Sequence, residues 1–192
     1  DTELKKNDTS TVTIEFSESV INFSSSDISA PNGSLSSFSG SGTSYSVTYT
    51  PNNNITDSSN ILTIGTNYTD NAGNAPSTSY DTLNFSIDTI SPSITITASN
   101  GSAVNSEDLT NDSSLTITFT STESTSNFIV GDITTSNGSL SSFSGSGTTY
   151  TATFTPTEDG TCTIDINSGV YTDDAGNNNT VSTQFVWNSD QT

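Results

Sequence analysis

The chain has 192 residues, of which 28% are hydrophobic, and it carries 21 acidic side chains against two basic ones, a formal net charge of −19. Nucleic-acid binding and adhesion to anionic lipid both draw on Lys and Arg to meet phosphate, so this balance effectively excludes the first and disfavours the second. With no His and one Cys, intrachain disulfides and His-activated nucleophiles are excluded, and a zinc site is not expected.

Along the chain the apolar residues alternate. The runs in the first half are Val12/Ile14/Phe16, Tyr45/Val47/Tyr49 and Leu83/Phe85/Ile87. The second half shows Ile94/Ile96/Ala98, Leu115/Ile117/Phe119, Tyr150/Ala152/Phe154, Cys162/Ile164/Ile166 and Thr183/Phe185/Trp187. Each run has an apolar face and a Thr/Ser face, the pattern of a strand buried on one side. Asn32-Gly33, Ala72-Gly73-Asn74, Asn137-Gly138, Asp159-Gly160 and Ala175-Gly176-Asn177 mark turns between them. This ordering argues for a folded chain despite a composition that borders on that of disorder. Cys162 falls on the apolar side of its run and is expected to be a buried structural thiol. No apolar run approaches the length that a membrane helix requires, so no membrane insertion is expected.

The chain also repeats itself. Asn32–Thr43 reads NGSLSSFSGSGT, and Asn137–Thr148 reads the same. The match spreads outward through Glu18 and Glu123, Phe23 and Phe128, Asp27 and Asp132, Tyr45 and Tyr150, Pro51 and Pro156, and Tyr68-Thr69-Asp70 and Tyr171-Thr172-Asp173. A repeat of about 100 residues is a whole small domain rather than a solenoid unit. The fold class is therefore all-β, with two tandem two-sheet sandwiches of about seven strands each. The domains are placed at 1–88 and 89–192, with Ile87–Pro92 as the boundary. Aligning Leu4 with Leu109 leaves repeat 1 with no counterpart of Ser93–Ala98, so its first strand is expected to be missing. The segment Asp1–Asp8 shows no alternation and is expected to be a loop. On this reading the chain is an excerpt of a longer array. The sheet edge left open would be filled by the parent protein or by another copy of the chain.

The sequence resembles the bacterial immunoglobulin-like tandem repeats of large surface adhesins. The residues that carry the resemblance are Ile87–Thr97, Phe128 with Gly131-Asp132-Ile133-Thr134, Asn137-Gly138 through Gly147-Thr148, Thr155-Pro156-Thr157 and Asp173-Asp174-Ala175-Gly176-Asn177. The resemblance covers nearly the whole chain. It implies immunoglobulin-like sandwiches, display at the cell surface or outside the cell, and calcium at domain junctions. The chain departs from it in the missing strand and in a longer stretch at Asn52–Asn60.

An immunoglobulin-like topology places the second-to-third and sixth-to-seventh strand loops at the end where the chain enters the domain. In repeat 2 these loops carry Glu123 and Asp132, and Asp173, Asp174 and Asn177; the entering linker carries Asp88. In repeat 1 the corresponding set is Glu18, Asp27, Asp70 and Asn74. Calcium takes six to eight oxygen ligands from such groups, so these ten residues are the candidate metal ligands. The competing reading makes them solvated acids and turn-shaping Asx residues.

No His triad, Gly-x-Ser-x-Gly elbow or phosphate-binding loop is present, so an enzyme is not expected. The expected function is a structural spacer of an extracellular adhesin or surface protein, its joints stiffened by calcium and its partners the neighbouring repeats. The alternatives are a surface-layer or filament subunit assembled by strand exchange between chains, and a glycan-binding module.

Overall fold

The structure is a computed structural model that describes residues 2–192. The chain forms two compact units, Asp1–Ile90 and Ser91–Thr192, and each is a β structure with no α-helix among the described residues.

The first unit contains β1 (Glu3–Lys5), β2 (Ser10–Ile21), β3 (Ile28–Ser29), β4 (Gly33–Pro51), β5 (Thr56–Asn60), β6 (Thr63–Ile64), β7 (Thr69–Asp70), β8 (Tyr80–Asp81) and β9 (Phe85–Asp88). They form sheets ordered β4-β2-β7, β1-β9-β5 and β3-β6-β8. In β2, Val12 faces Val47 and Ile14 faces Tyr45 across the pair with β4. The alternation read from the sequence is the inward face of this pair. Ile14, Val20, Phe23, Ile28, Tyr45, Val47 and Ile64 make one buried cluster; Leu4, Tyr49, Leu62 and Ile87 make a second.

The expected loop at Asp1–Asp8 is corrected in part. Asp1 lies outside the described residues, but Glu3–Lys5 pair in parallel with Ser86–Asp88. Leu4, 2% exposed, anchors this strand, which is too short for alternation to show. β1 does not lie beside β2. Among the described residues no strand pairs with the second edge of Ser10–Ser17, since β7 meets β2 only at Val20 and Ile21.

The second unit contains β10 (Ile94–Ser99), β11 (Ala103–Val104), β12 (Leu109–Thr110), β13 (Leu115–Thr125), β14 (Ile133–Ser136), β15 (Gly138–Pro156), β16 (Gly160–Ile166) and β17 (Phe185–Ser189). Its sheets are ordered β11-β10-β13-β15 and β12-β17-β16-β14. Here β10 covers the edge of β13, from Ile94 opposite Ser121 to Ser99 opposite Thr116. The core between the sheets includes Phe119, Phe154, Ile164, Ile166 and Trp187, all 0% exposed. The Trp187 ring meets Phe154 edge-on at 4.7 Å.

The second sheet of the first unit is less regular. Where β16 and β17 run continuously, β5 pairs with β9 through a bulge between Asp57 and Asn60. The longer stretch at Asn52–Asn60 is accommodated there.

The duplicated segment forms the first limb of β4 and of β15, each of which folds back on itself. Asn52 N donates to Asn32 O at 2.8 Å and Thr157 N to Asn137 O at 3.1 Å. Asn32 and Asn137 open these hairpins with φ of 54° and 52°, in the left-handed region that Asn tolerates. The glycine after each lies flat against an aromatic ring, Tyr49 for Gly33 and Phe154 for Gly138. The Asn side chains are held differently. Asn32 Nδ2 donates to Asp57 Oδ2 and Asn60 Oδ1, both at 2.8 Å. Asn137 Nδ2 donates to Glu158 O at 3.0 Å and lies 3.6 Å from Cys162 Sγ. The free thiol of Cys162 is fully buried and burial pushes its pKa up, as a structural role requires.

Candidate metal centre

The loop Asp173–Asn177 is closed by its own hydrogen bonds. Asp173 Oδ1 accepts from Asn177 N at 2.8 Å and Oδ2 from Asn177 Nδ2 at 2.9 Å. Asp173 N donates to Asn177 O, and Gly176, at φ 91°, donates its N–H to Asp173 O. The loop Asp70–Asn74 repeats this arrangement. Asp70 Oδ1 accepts from Ala72 N and Asn74 N, and Oδ2 accepts from Asn74 Nδ2, all at 2.8 Å. The shared Ala-Gly-Asn is thus a device for fixing one carboxylate: Gly supplies the left-handed turn and Asn grips the acid.

Around Asp173 the second unit adds further groups. A carboxylate oxygen of Glu123 lies within 4.8 Å of one of Asp173. Asp173 is 6% exposed, Asn177 2% and Tyr171 1%. Burial pushes the Tyr171 phenol up, and the charge of Glu123 adds to this. Asp174 points outward to solvent. Asp132 Oδ2 accepts from Ile129 N at 2.9 Å and caps the turn Val130–Asp132.

In the first unit Glu18, Asp70 and Asn74 line one cleft of about 200 Å³ with Phe16 and Tyr68. Asp27 does not line it; like Asp132, it caps its own turn, accepting from Ser24 N at 2.8 Å. Asp88, the last residue of β9, accepts through Oδ1 from Thr56 Oγ1 at 3.1 Å and Ile90 N at 3.2 Å.

Two residues that support this end of the second unit are not apparent from the sequence. Asn127 accepts from Thr172 N at 3.0 Å and so ties the loop after β13 to the loop that carries Asp173. Asn179, 3% exposed, accepts from Val170 N and Tyr171 N and donates to Asn167 O and Thr180 O. Pro76 stands at the corresponding place in repeat 1 and cannot make this staple. The run Asn177–Asn179 was the available signal, but in so Asn-rich a chain it does not stand out.

The donors gathered here are carboxylate, amide and hydroxyl oxygens, with no imidazole or thiol. This set suits a hard cation such as calcium and not zinc. The bonds from Asn177 N to Oδ1 and from Asn177 Nδ2 to Oδ2 orient the Asp173 carboxylate.

The same bonds shift the titration of Asp70. The Asn74 side chain, then the Asn74 backbone N–H, hold its carboxyl below the ordinary 3.8. Its contribution to stability is therefore present above the unfolded value and is lost as pH falls through the lowered folded value. Asn74→Ala is expected to move the Asp70 carboxyl back up towards 3.8, read by NMR titration of its side-chain carbon. A titration that stays where it was would show that the Asn74 amide does not set it.

No curated protein is similar enough to the chain to count as a match. The family model described as the Bacterial Ig-like domain matches twice in succession, over residues 1–87 and 88–188. Together the two matches span nearly the whole chain, which is thus a tandem pair belonging to the bacterial Ig-like domain family.

Proposed function

We propose that the chain is a pair of spacer repeats of an extracellular bacterial adhesin or surface protein, and that calcium stiffens the joint. In this reading Glu123 and Asp173 hold the ion together with Asp88, which the chain carries three residues before the second unit begins. The observation that supports it most is the placement of the Glu123 and Asp173 carboxylates within 4.8 Å of each other, with Asp173 fixed by Asn177. Like charges this close repel one another, and a divalent cation removes the repulsion. A net charge of −19 favours such binding throughout the chain. Ions at joints and cores made of apolar strand faces fit a mechanical part, whose work is to hold a distance.

Calcium binding is expected at about 10⁻⁴–10⁻³ M, the range of extracellular modules. Such a site fills outside a cell and empties inside one. The test is titration calorimetry with calcium on the native chain and on Asp173→Ala, joined to small-angle scattering before and after chelation. The native chain should bind and become more flexible on chelation; Asp173→Ala should resemble the chelated state throughout. No calorimetric signal together with unchanged scattering would refute the calcium joint.

A further inference from the structure

The carboxylates of Glu123 and Asp173 stand beside two hydroxyls that the second unit buries. Ser121 precedes Glu123 by two residues in β13, so the pleat turns both side chains to the same face. Tyr171 stands two residues before Asp173 in the loop that carries it, and the charge of Glu123 reaches its phenol. Ser121 is 4% exposed and Tyr171 1% exposed. Among the described residues neither Ser121 Oγ nor Tyr171 Oη has a hydrogen-bond partner. Folded chains rarely bury such groups unsatisfied, and where they do an ion or a water is a usual partner. Next to two carboxylates the partner that suits is a cation, since the hydroxyl oxygens offer lone pairs and the acids supply the charge.

The first unit repeats the acids but not this setting. Phe16, Glu18, Tyr68 and Asp70 take the places of Ser121, Glu123, Tyr171 and Asp173. The Phe16 ring packs at 5.0 Å from both Phe23 and Tyr68, so an apolar ring fills the position of the Ser121 hydroxyl. Glu18 is exposed and Asp70 half-buried, whereas Glu123 is half-buried and Asp173 buried. A cation at the more exposed pair is better screened by water and held more weakly. We propose that the Ser121 hydroxyl, with the Tyr171 phenol, completes a cation site from the second unit's own residues, and that Phe16 denies the first unit the same site. The chain then takes up one calcium ion where its repeat suggests two. This assignment rests on the calcium reading above and names the groups that make the two halves unequal. Ser121 Oγ serves as an oxygen ligand. The phenol stays protonated, since burial and the charge of Glu123 both push it up, and so it donates a hydrogen bond to a carboxylate and adds no further charge. Magnesium keeps several of its waters, so a site lined by buried protein groups favours calcium.

The full chain is titrated with calcium chloride in a calorimeter, and with terbium chloride while tyrosine is excited and terbium emission is read. The native chain should take up one calcium ion, and calcium should displace the terbium. Ser121→Phe, which installs the first unit's residue, should abolish uptake. Should that variant unfold, Ser121→Ala removes the hydroxyl without adding bulk. With an unchanged far-UV circular dichroism spectrum, it should bind calcium about 10–100-fold more weakly, the usual cost of losing a group that holds or orients a ligand. Tyr171→Phe should remove most of the terbium emission, and Tyr68→Phe should leave it. Native-strength uptake by Ser121→Ala, two ions bound by the native chain, or loss of the emission in Tyr68→Phe would overturn the assignment and leave the calcium reading in place. No uptake by the native chain would refute the calcium reading and this assignment with it.

Discussion

Trp187→Ala is expected to lower the stability of the second unit by about 3–5 kcal/mol, the usual cost of removing a fully buried large aromatic. Small domains have only about 5–15 kcal/mol in hand, so this change alone brings the unit close to unfolding. The indole lies at the centre of the core, packed edge-on against Phe154 at 4.7 Å and tilted against Phe185 at 5.6 Å. Cys162 stands opposite it across the β16–β17 pair. None of these neighbours can move into the space without leaving its own strand register. Denaturant unfolding followed by far-UV circular dichroism should split into two transitions, one shifted and one in the native place, because the first unit has its own clusters around Tyr45 and Tyr49. A loss below about 1 kcal/mol would mean that the core relaxes around the void and that the sandwich is less rigid than the geometry indicates.

Gly138→Val is expected to cost about 1–3 kcal/mol through overpacking. The Gly138 backbone is not left-handed, so the cost is steric. A Cβ at this position overlaps the Phe154 ring and crowds Thr155 O, and the same holds for Gly33 against Tyr49. The second unit also supplies a control. At Gly131 an added Cβ meets only the Ile129 side chain, at 3.7 Å, so Gly131→Ala should unfold within about 0.5 kcal/mol of the native chain. Equal losses at Gly138 and Gly131, measured by calorimetry, would show that backbone freedom rather than ring packing explains the duplicated glycine.

Much of the fold was legible because strands buried on one face leave a period of two in the sequence. Ile117 and Phe119 alternate in the chain and both are buried; so do Cys162, Ile164 and Ile166. The repeat then conveyed that whatever held for one half held for the other. What period could not reveal was any element too short to express it. Leu4 is the only apolar residue in Glu3–Lys5, yet its burial makes that segment a strand. The splitting of the second sheet in the first unit depends on a bulge at Asp57–Asn60, a feature of pairing geometry and not of composition. At the candidate site, the twin Ala-Gly-Asn loops could be read directly, since a turn that grips an acid needs those residue types. Asp27 and Asp132 were legible as candidates because they recur at the same places in the two halves. Recurrence reports only that both halves need the residue, and the need in each includes a cap on a short turn. Asn127 and Asn179 act by bridging segments distant in sequence or by clasping a loop stalk, and no local pattern announces that.

The two hairpins that open with NGSLSSFSGSGT bear on how the chain reaches its fold during synthesis. Neighbouring domains with matching segments invite exchange, in which a hairpin made by one half is captured by the other. The identical limb offers no discrimination, so correct sorting falls to the limb that follows it. Tyr49 ends its limb on a hydroxyl that donates to Pro31 O at 2.7 Å and a ring that meets Phe85. Phe154, at the matching place, has no hydroxyl and meets Trp187 instead. A hairpin captured by the wrong half would leave Pro31 O without its donor in one case and bury a phenol against the indole in the other. The second limbs differ at Ser44/Thr149, Ser46/Thr151, Val47/Ala152 and Tyr49/Phe154, and at the last of these a phenol oxygen helps to sort two hairpins whose first limbs are identical.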